Sequence, residues 1–269
     1  MSATFTKHGS ARAIAFEVAG LTELGAAAAD GGAAVAQLAS WETTQLQTAV
    51  IDSGSPTASA ACEFGSRLAL THAWCPAGRR IFGQAPVGFG ADCSYTGYMG
   101  RSDLPLVPPD SAPLSFGEFY ANYRLLPYLP AAQDNGAIGP AGAAVITQLA
   151  QRLCDGVFDA PQPELVTTEA ALLHGDLWAG NLLWPRGGTP TLIDPACHGG
   201  HAESDLAQLS VFHSPFTAEV YAGYNEVSPL ADGWEERIHL HQLHILLVHA
   251  ALFGGGYGRQ TVAIARQYL

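Results

Sequence analysis

The chain has 269 residues, of which 48% are hydrophobic and only 13% are charged, against a usual charged share of about 25%. Its 12 basic and 24 acidic side chains give a formal net charge of −12, which excludes a general nucleic-acid binder and argues against docking on an anionic membrane. The hydrophobic share excludes global disorder and is large enough for one sizeable core, or for two lobes that share one.

The N-terminal part is predicted to contain strands and one long helix. Residues 1–7 are rich in Thr and Phe, which favours a strand. Apolar residues then recur at helical spacing until a turn begins near Asp30. A strand pair is predicted over residues 34–38 and 46–51, on either side of residues 40–44.

After a Ser-, Gly- and Pro-containing break, the pattern becomes mainly helical. Residues 76–113 hold many Gly, Pro and Ser residues and are predicted to form a long ordered loop. Between residues 172 and 194 the pattern switches to short apolar runs joined by turns. Apolar spacing predicts helices over residues 57–74, 114–126, 143–158, 217–225, 234–253 and 261–269.

The break at residues 52–56 divides the chain unequally. A small N-terminal lobe of residues 1–54 contains the predicted strands and the first helix. A larger, mainly helical lobe occupies residues 55–269. The sequence therefore predicts an α+β fold with two lobes.

No targeting or membrane segment is visible in the sequence. The N-terminal residues lack the apolar stretch of a secretory signal, and no run reaches the ~20 apolar positions that a membrane span needs. The cysteines show no paired spacing, which indicates reduced thiols, and we expect a cytoplasmic protein. They are Cys62, Cys75, Cys93, Cys154 and Cys197.

Three polar residues have the spacing of a phosphoryl-transfer site. Asp176 and Asn181 are five residues apart, and Asp194 follows a short apolar run that is typical of a strand. Phosphoryl transfer needs a carboxylate beside the acceptor hydroxyl, and a neutral oxygen ligand and a second carboxylate that hold Mg²⁺ against the nucleotide phosphates. Asp and Asn also favour turns, but their combination with His174 and Gly175 favours a kinase catalytic loop over a simple turn.

Lys7 and Glu17 are candidates for the second half of such a site. A kinase small lobe has a strand lysine that contacts the nucleotide phosphates and pairs with a glutamate on the next helix. Lys7, the only lysine in the sequence, ends the first predicted strand, and Glu17 lies on the helix that follows. A surface lysine and a solvated glutamate are the alternative, but the catalytic loop downstream favours the ion pair.

Four histidines lie on the helix predicted over residues 234–253 and raise the question of a metal site. No Cys or carboxylate flanks them at ligand spacing, so buried and hydrogen-bonded histidines are favoured over ligands. They are His239, His241, His244 and His249.

The segment 174–181, which reads HGDLWAGN, resembles the catalytic loop of the fructosamine (ketosamine) kinases, a branch of the aminoglycoside-phosphotransferase-like kinases. Residues 194–205, which read DPACHGGHAESD, are similar to the metal-binding segment of that family, and residues 5–7 and 16–21 to its lysine and glutamate segments. The resemblance covers nearly the whole chain and implies a two-lobed, protein-kinase-like fold.

The resemblance also implies roles for individual residues. Asp176 would be the catalytic base, Asn181 and Asp194 would bind Mg²⁺, and Lys7 would hold the phosphates of ATP while Glu17 orients it. ATP and Mg²⁺ are thus the implied cofactors. Family members phosphorylate a sugar hydroxyl of a ketosamine, a small glycated amine, and the phosphorylated adduct decomposes, which reverses glycation.

Further residues are candidates near the two substrates. The resemblance implies a hinge that contacts adenine near Thr48 and Val50. Trp178 either stacks on the acceptor or anchors the catalytic loop. His201 and Glu203 either lie near the acceptor sugar or fix their own loop, and Asp205 is predicted to be a buried carboxylate that braces the catalytic loop.

One departure from the family affects the expected activity. The family has a hairpin with a glycine-containing loop before the strand lysine, whereas six residues precede Lys7 here. Two expectations follow: either the true start lies upstream of residue 1, or the small lobe is truncated and lacks the backbone N–H groups that cover the phosphates. Two alternatives stay open: a kinase for a cationic aminoglycoside or amino alcohol, which an acidic protein would attract, and a non-catalytic pseudokinase.

Overall fold

The structure of the chain is a computed structural model that describes residues 3–90 and 95–269. Its N-terminal part contains a three-stranded antiparallel sheet in the order β1–β4–β3, covered on one face by the long helix α1. The elements are β1 (Thr4–His8), α1 (Ala11–Ala29), β2 (Ala34–Val35), β3 (Leu38–Glu42) and β4 (Gln45–Ala49).

Helix α1 ends where the sequence predicts a turn, and a side-chain cap defines its start. The Ser10 side chain accepts a hydrogen bond from the backbone N–H of Ala13, and the helix ends at Ala29 before Asp30. Ile14 and Val18 bury their side chains against Leu46 of β4. This packing places α1 directly behind β1, whose Lys7 pairs in register with Leu46.

The predicted strand pair over residues 34–38 and 46–51 is only partly correct. Strand β4 pairs with β3, which overlaps the predicted range 34–38 only at Leu38, and the hairpin turn therefore follows Glu42. Residues Ala34 and Val35 form a separate strand, β2, which pairs in parallel with a strand near Asp194. The alternation of apolar residues predicts that a segment forms a strand but does not say which strand it pairs with. It could therefore not distinguish a pairing of residues 34–38 with β4 from the observed pairings.

The rest of the chain is mainly helical, so the predicted α+β class is confirmed. Within the described residues, three short 3₁₀ turns cover Leu126–Tyr128, Ala179–Asn181 and Arg266–Tyr268. The further elements are α2 (Ala58–Ala73), β5 (Thr96–Met99), β6 (Ser102–Pro105), α3 (Phe116–Phe119), α4 (Leu129–Asp134), α5 (Pro140–Cys154), β7 (Ala171–Leu173), β8 (Leu182–Leu183), β9 (Thr191–Leu192), β10 (His198–Gly200), α6 (Ala202–Val211), α7 (Thr217–Val227), α8 (Trp234–Phe253) and α9 (Gly256–Ala265).

Two buried clusters form the core of the helical part. The larger one joins α3, α5 and α8 with the hairpin β5–β6. The second one packs α2 against α7, where Gly65 and Gly223 allow the two backbones to approach closely. The boundary at residue 54 stays a prediction, since β2 of the N-terminal part shares a sheet with β8 and β9.

The loop predicted over residues 76–113 contains a hairpin. Strands β5 and β6 pair around the two-residue turn Gly100–Arg101, with Gly100 in the left-handed region at a φ of 59°. The hairpin lies against α1, where Gly97 leaves room for the ring of Phe16. Cys93 lies outside the described residues, and the four described cysteines are free.

The helix predicted over residues 114–126 is interrupted. Its first turn, α3, is followed by a π-helical segment, Tyr120–Leu125. The Tyr120 hydroxyl donates to the carbonyl oxygens of Leu240 and His241 on α8 and accepts from the backbone N–H of His244. This buried anchoring fixes Tyr120 in a place that the helical spacing alone does not predict.

No helix within residues 3–90 and 95–269 combines the length and the apolar character needed to cross a membrane.

Candidate active site

Five polar residues that the sequence singled out line one cavity of about 550 Å³ between the two parts of the chain. The hairpin β5–β6 and the start of α1 form its other walls. The five residues are Lys7, Glu17, Asp176, Asn181 and Asp194. The fold thus brings together side chains from β1, α1, the loop after β7 and the segment after β9.

The loop after β7 is held by a buried carboxylate. The backbone N–H groups of His174 and Gly175 donate to the two carboxylate oxygens of Asp205, at 2.7 and 2.9 Å. Burial opposes ionisation of Asp205, but hydrogen bonding and charge from His72 and from the loop outweigh it and lower the pKa of the carboxyl. The prediction that Asp205 braces the catalytic loop is confirmed.

His174 connects this loop to the strand segment before Asp194. Its Nε2–H donates to the carbonyl oxygen of Ile193 at 2.8 Å, and its Nδ1 accepts from the backbone N–H of Asp176 at 3.3 Å. These two bonds define a neutral imidazole, and burial lowers the pKa of His174. These bonds therefore hold the loop that carries Asp176 at a fixed distance from the segment that carries Asp194.

The carboxyl group of Asp176 lines the cavity and has a raised pKa. Burial is the main cause and raises the pKa of the carboxyl to about 7, although a hydrogen bond from Asn181 opposes the shift. The Asn181 amide donates to the Asp176 carbonyl oxygen at 2.8 Å and to its Oδ2 at 3.1 Å. A base with this pKa suits proton transfer at neutral pH.

Asn181 and Asp194 fit the oxygen ligand set that Mg²⁺ prefers. Both amide hydrogen bonds of Asn181 come from its nitrogen, which leaves Oδ1 free to bind a cation. Asp194 stands in the left-handed region at a φ of 52°, a conformation that Asp tolerates better than most residues. Its carboxylate is 45% exposed and faces the same cavity.

Lys7 lies between two carboxylates. Its Nζ is 2.7 Å from Glu17 Oε2 and 3.0 Å from Asp194 Oδ1. Burial of the amine opposes its charge, but these two neighbours outweigh it and raise the pKa of Lys7. The predicted ion pair between Lys7 and Glu17 is confirmed.

A second cavity, of about 240 Å³, adjoins the first and shares Lys7, Glu17 and Asp194 with it. Thr48 and Val50, the residues predicted near adenine, both line it. Its remaining wall is mostly apolar and comes from Phe5, Leu21, Ala36, Leu46, Ala49, Ile51, Leu183 and Ile193. A flat apolar ring would fit between these side chains.

Trp178 takes an intermediate position. One part of the indole lines the larger cavity, while its ring packs edge-on against Phe212 at a centroid distance of 5.8 Å. Gly180 lies directly beneath the indole, where a β-carbon would clash with it. The side chain therefore both anchors the loop and presents a surface to the cleft.

His201 and Glu203 lie outside this cleft, in contrast to one of their two predicted placements. Both are buried, and neither lines either cavity. The Arg237 guanidinium donates to both Glu203 oxygens, at 2.9 and 2.6 Å, and His241 Nε2 lies 3.2 Å from the same carboxylate. These residues join the start of α6 to α8, a packing role that the sequence alone did not separate from substrate contact.

The helical histidines are mostly hydrogen-bonded. Among the described residues, one group has the compactness of a metal site, namely His201, Glu203 and His241. Because Arg237 already occupies both oxygens of Glu203, the group is arranged as an ion-pair cluster. His241 also contacts Ser204 at 2.9 Å.

Tyr98 and Arg101 also line the cavity, although no sequence signal pointed to either residue. Both belong to the hairpin β5–β6, which was predicted as loop. Gly100 at the turn is the one local signal that could have indicated a hairpin there.

Comparisons with known proteins agree with this geometry. The family model described as fructosamine kinase matches residues 5–269. The probable ketoamine kinase slr1563 of Synechocystis is 37% identical over 155 residues, which cover 58% of this chain and 49% of that protein. The chloroplastic protein-ribulosamine 3-kinase of Arabidopsis thaliana is 36% identical over 152 residues, 56% of this chain and 44% of that protein. The chain thus spans about half the length of the curated relatives it matches.

Solved structures show the same fold. The crystal structure of a candidate fructosamine-3-kinase from Thermobifida fusca has 38% identity and a TM-score of 0.81, over 98% of this chain and 85% of that one. The streptomycin–ATP complex of APH(2″)-IIa has 11% identity and a TM-score of 0.59, over 98% and 84% of the two chains. The second likeness concerns the fold alone, which is that of the protein-kinase-like phosphotransferases.

Proposed function

Because the chain belongs to the fructosamine kinase family, whose model matches residues 5–269, we propose that it is an ATP-dependent kinase that phosphorylates a sugar hydroxyl of a ketosamine. The acceptor is a small glycated amine, and the biological role is the reversal of glycation. The observation that carries this proposal is the convergence of Lys7, Asp176, Asn181 and Asp194 on one cavity.

In the proposed reaction, Asp176 orients the acceptor hydroxyl and accepts its proton. Asn181 bonds Oδ2 of Asp176 and leaves the other carboxylate oxygen for the substrate. As the acceptor oxygen bonds to the γ-phosphorus, the bond from phosphorus to the bridging oxygen breaks and ADP departs. The proton stays on Asp176 until it is released to solvent.

The other residues hold the nucleotide and balance its charge. The ammonium group of Lys7 neutralises charge on the phosphates, and its pairing with Glu17 at 2.7 Å fixes its direction. Asn181 Oδ1 and the Asp194 carboxylate are the groups that would hold Mg²⁺, which when bound neutralises the phosphate oxygens. The apolar cavity beside Thr48 and Val50 takes the adenine ring.

The test is the release of ADP from Mg²⁺-ATP in the presence of a fructosyl- or ribulosyl-amine. Asp176→Asn removes the base and should lower kcat by about 10²- to 10⁴-fold while Mg²⁺-ATP still binds. Asp110→Asn, an exposed carboxylate outside both cavities, is the matched control and should keep full activity.

Three outcomes would contradict the proposal. Turnover only with an aminoglycoside or an amino alcohol would assign a different acceptor. Tight Mg²⁺-ATP binding without turnover on any of these acceptors would indicate a pseudokinase. Equal activity in Asp176→Asn and the parent protein would remove Asp176 from the reaction.

A further inference from the structure

The two halves of the site come from separate parts of the fold. Lys7 and Glu17 stand on β1 and α1, whereas Asp176 follows β7 and Asp194 precedes β10. Phosphoryl transfer depends on the positions of both halves relative to each other, because reacting groups must align to within a fraction of an ångström. A contact that fixes α1 against the strands β7 and β10 would therefore matter for the reaction itself.

Such a contact is present on the buried side of α1. Glu23 of α1 is only 4% exposed. Its Oε1 accepts a hydrogen bond from Arg80 Nη2 at 2.8 Å, and its Oε2 accepts from the backbone N–H of Val87, also at 2.8 Å. Both oxygens of Glu23 are thus used by one short segment of the larger part of the chain.

The same segment is attached to the strands that carry the catalytic loops. The Arg80 carbonyl oxygen accepts from Ala170 N, next to β7, at 3.1 Å. Gly83 N donates to the Gly199 carbonyl oxygen at 2.8 Å, and Gly199 N donates to the Gln84 carbonyl oxygen at 2.9 Å. Residues 80–84 therefore run alongside β10, which itself pairs with β7.

Gly199 permits this close approach, because a β-carbon there would clash with the carbonyl oxygen of Ile81. Two other contacts hold α1 on the same side. The ring of Phe16 meets that of Phe89 edge-on at a centroid distance of 4.9 Å. Gly20 packs closely against Cys197, since a β-carbon at Gly20 would be only 2.9 Å from Cβ of Cys197. Among these contacts, the pair of Glu23 and Arg80 is the charged and directional one.

We propose that Glu23 and Arg80 are positioning residues, whose ion pair holds α1, and with it the Lys7–Glu17 pair, in register with Asp176 and Asp194. The proposal rests on the proposed kinase function of the same site. Neither residue lines the cavity around Asp176, so both act through the elements that they join.

The energetics of the pair support a role in geometry rather than in stability. Taking both charges out of water is costly, and apolar side chains of similar size often give equal or greater stability. Arg80 is 3% exposed, and its Nε and Nη1 have no hydrogen-bond partner among the described residues. An ion pair that served stability alone would also use the Nε and Nη1 donors of Arg80. The single hydrogen bond from Nη2 to Glu23 is enough to hold α1 in one orientation relative to residues 80–84.

The test replaces both charges at once, with Glu23→Met and Arg80→Met in one protein. The double change leaves no buried charge without its partner. The matched control is Glu63→Met with Arg67→Met, since this pair on α2 has a similar distance of 2.9 Å but is exposed and remote from the cleft. If the double variant folds poorly, Glu23→Gln is a milder second variant. Its side-chain amide oxygen can still accept the hydrogen bond from the backbone N–H of Val87.

Lys7 provides a readout that does not depend on turnover. It is the only lysine of the sequence, so ¹⁵N-lysine labelling gives a single side-chain Nζ signal. In the double variant we expect this signal to shift, the Kd for Mg²⁺-ATP to rise about tenfold and kcat to fall by about 10- to 100-fold. The thermal midpoint should stay close to that of the parent protein.

The proposal is overturned if the double variant keeps the parent Lys7 signal and ATP affinity, whether or not its thermal midpoint falls. Equal shifts in the Glu63/Arg67 control would overturn it as well, because the effect would then not be specific to α1. If the parent protein shows no turnover with any acceptor, the proposed function fails. The Lys7 signal still decides the positioning role in that case.

Discussion

Asp176 is the residue whose protonation should control the reaction. Burial raises the pKa of its carboxyl to about 7, so the carboxylate form that accepts a proton becomes the main form only above that pH. We predict that kcat/KM rises about tenfold per pH unit below pH ~7 and levels off above it. Steady-state ADP release between pH 5 and pH 9 measures this, and a flat profile from pH 5 to pH 8 would contradict it.

Gly175 is the residue whose backbone places Asp176. Its φ of 83° lies in the left-handed region, and a β-carbon there would clash with the carbonyl oxygen of Ala196. Gly187 has a φ of 66°, but an added β-carbon there would meet no other atom. A substitution at Gly187 therefore adds backbone strain without a steric clash, and it serves as the comparison for Gly175.

We predict that Gly187→Ala costs about 1 kcal/mol of unfolding free energy and keeps activity, because only backbone strain is added. Gly175→Ala should cost more, about 2–4 kcal/mol, and should abolish most activity, because the loop must move away from Ala196. Urea unfolding and ADP release of the two variants provide the comparison. Equal costs at both positions would show that the clash at Gly175 is relieved without loop movement.

Helix α6 is the element that connects the catalytic loop to the rest of the larger part. Asp205 accepts from the backbone of the loop, and Gln208 Oε1 accepts from the Leu177 N–H at 2.7 Å. At the start of the same helix, Glu203 is bound by Arg237 of α8 and fully buried. Burial opposes its ionisation, but the close contacts with His241 and Arg237 outweigh it and lower the pKa of Glu203 to about 2.

We predict that Arg237→Met destabilises the protein by about 3–5 kcal/mol, because Glu203 is left as a buried charge without its main partner. Replacing both residues, with Glu203→Leu and Arg237→Met, should recover most of this loss. Arg67→Met, which removes an exposed partner of Glu63, is the control and should change stability by less than about 1 kcal/mol. Urea unfolding at pH 7 tests all three, and a double variant as unstable as Arg237→Met would contradict the explanation.

At the scale of the whole molecule, buried neutral histidines should set the response to acid. Burial is the first cause in each case and lowers the pKa of His198 to about 3 and that of His201 to about 4. It also lowers the pKa of His174 and His244. An unfolded chain takes up protons at these positions near pH 6.5, whereas the folded chain takes them up only at a lower pH.

At these histidines the unfolded state therefore binds more protons below pH 6.5, which lowers stability as the pH falls. Asp176 opposes part of this loss, because its raised pKa of about 7 means that the folded state binds a proton there before the unfolded state does. Each histidine contributes up to about 1.4 kcal/mol per pH unit until its folded pKa is reached. We predict a loss of several kcal/mol of unfolding free energy between pH 7 and pH 5. Urea unfolding at both values is the measurement, and equal stabilities would mean that these histidines are protonated in the folded protein.

The sequence was most informative where chemistry restricts residue types. Asp176, Asn181 and Asp194 could be singled out because the proposed metal-dependent phosphoryl transfer needs such groups at a short spacing. The Lys7–Glu17 pair followed from that motif, and the structure gives it a distance of 2.7 Å. Helices with clear apolar spacing, such as α1 and α8, were predicted within a few residues.

The pairing of short strands was harder to predict. The parallel pairing of β2 with β9 and the hairpin β5–β6 involve strands of two to four residues, too short for a periodic signal. The placement of Glu203 depends on Arg237, whose partner is not encoded by local spacing. Residue type indicated chemistry, whereas only the packed fold separated the cleft from the ion-pair cluster behind it.

The pairing of β2 with β9 has a consequence for the order of events during synthesis on the ribosome. Residues 34–35 leave the ribosome early, but their partners at 191–192 emerge much later. Until then Ala34 and Val35 lack their strand partner, and the turn after α1 has no fixed place. We therefore expect the nascent N-terminal segment to stay protease-sensitive until the strand before Asp194 has been made, so that the nucleotide cleft is completed by the second half of the chain.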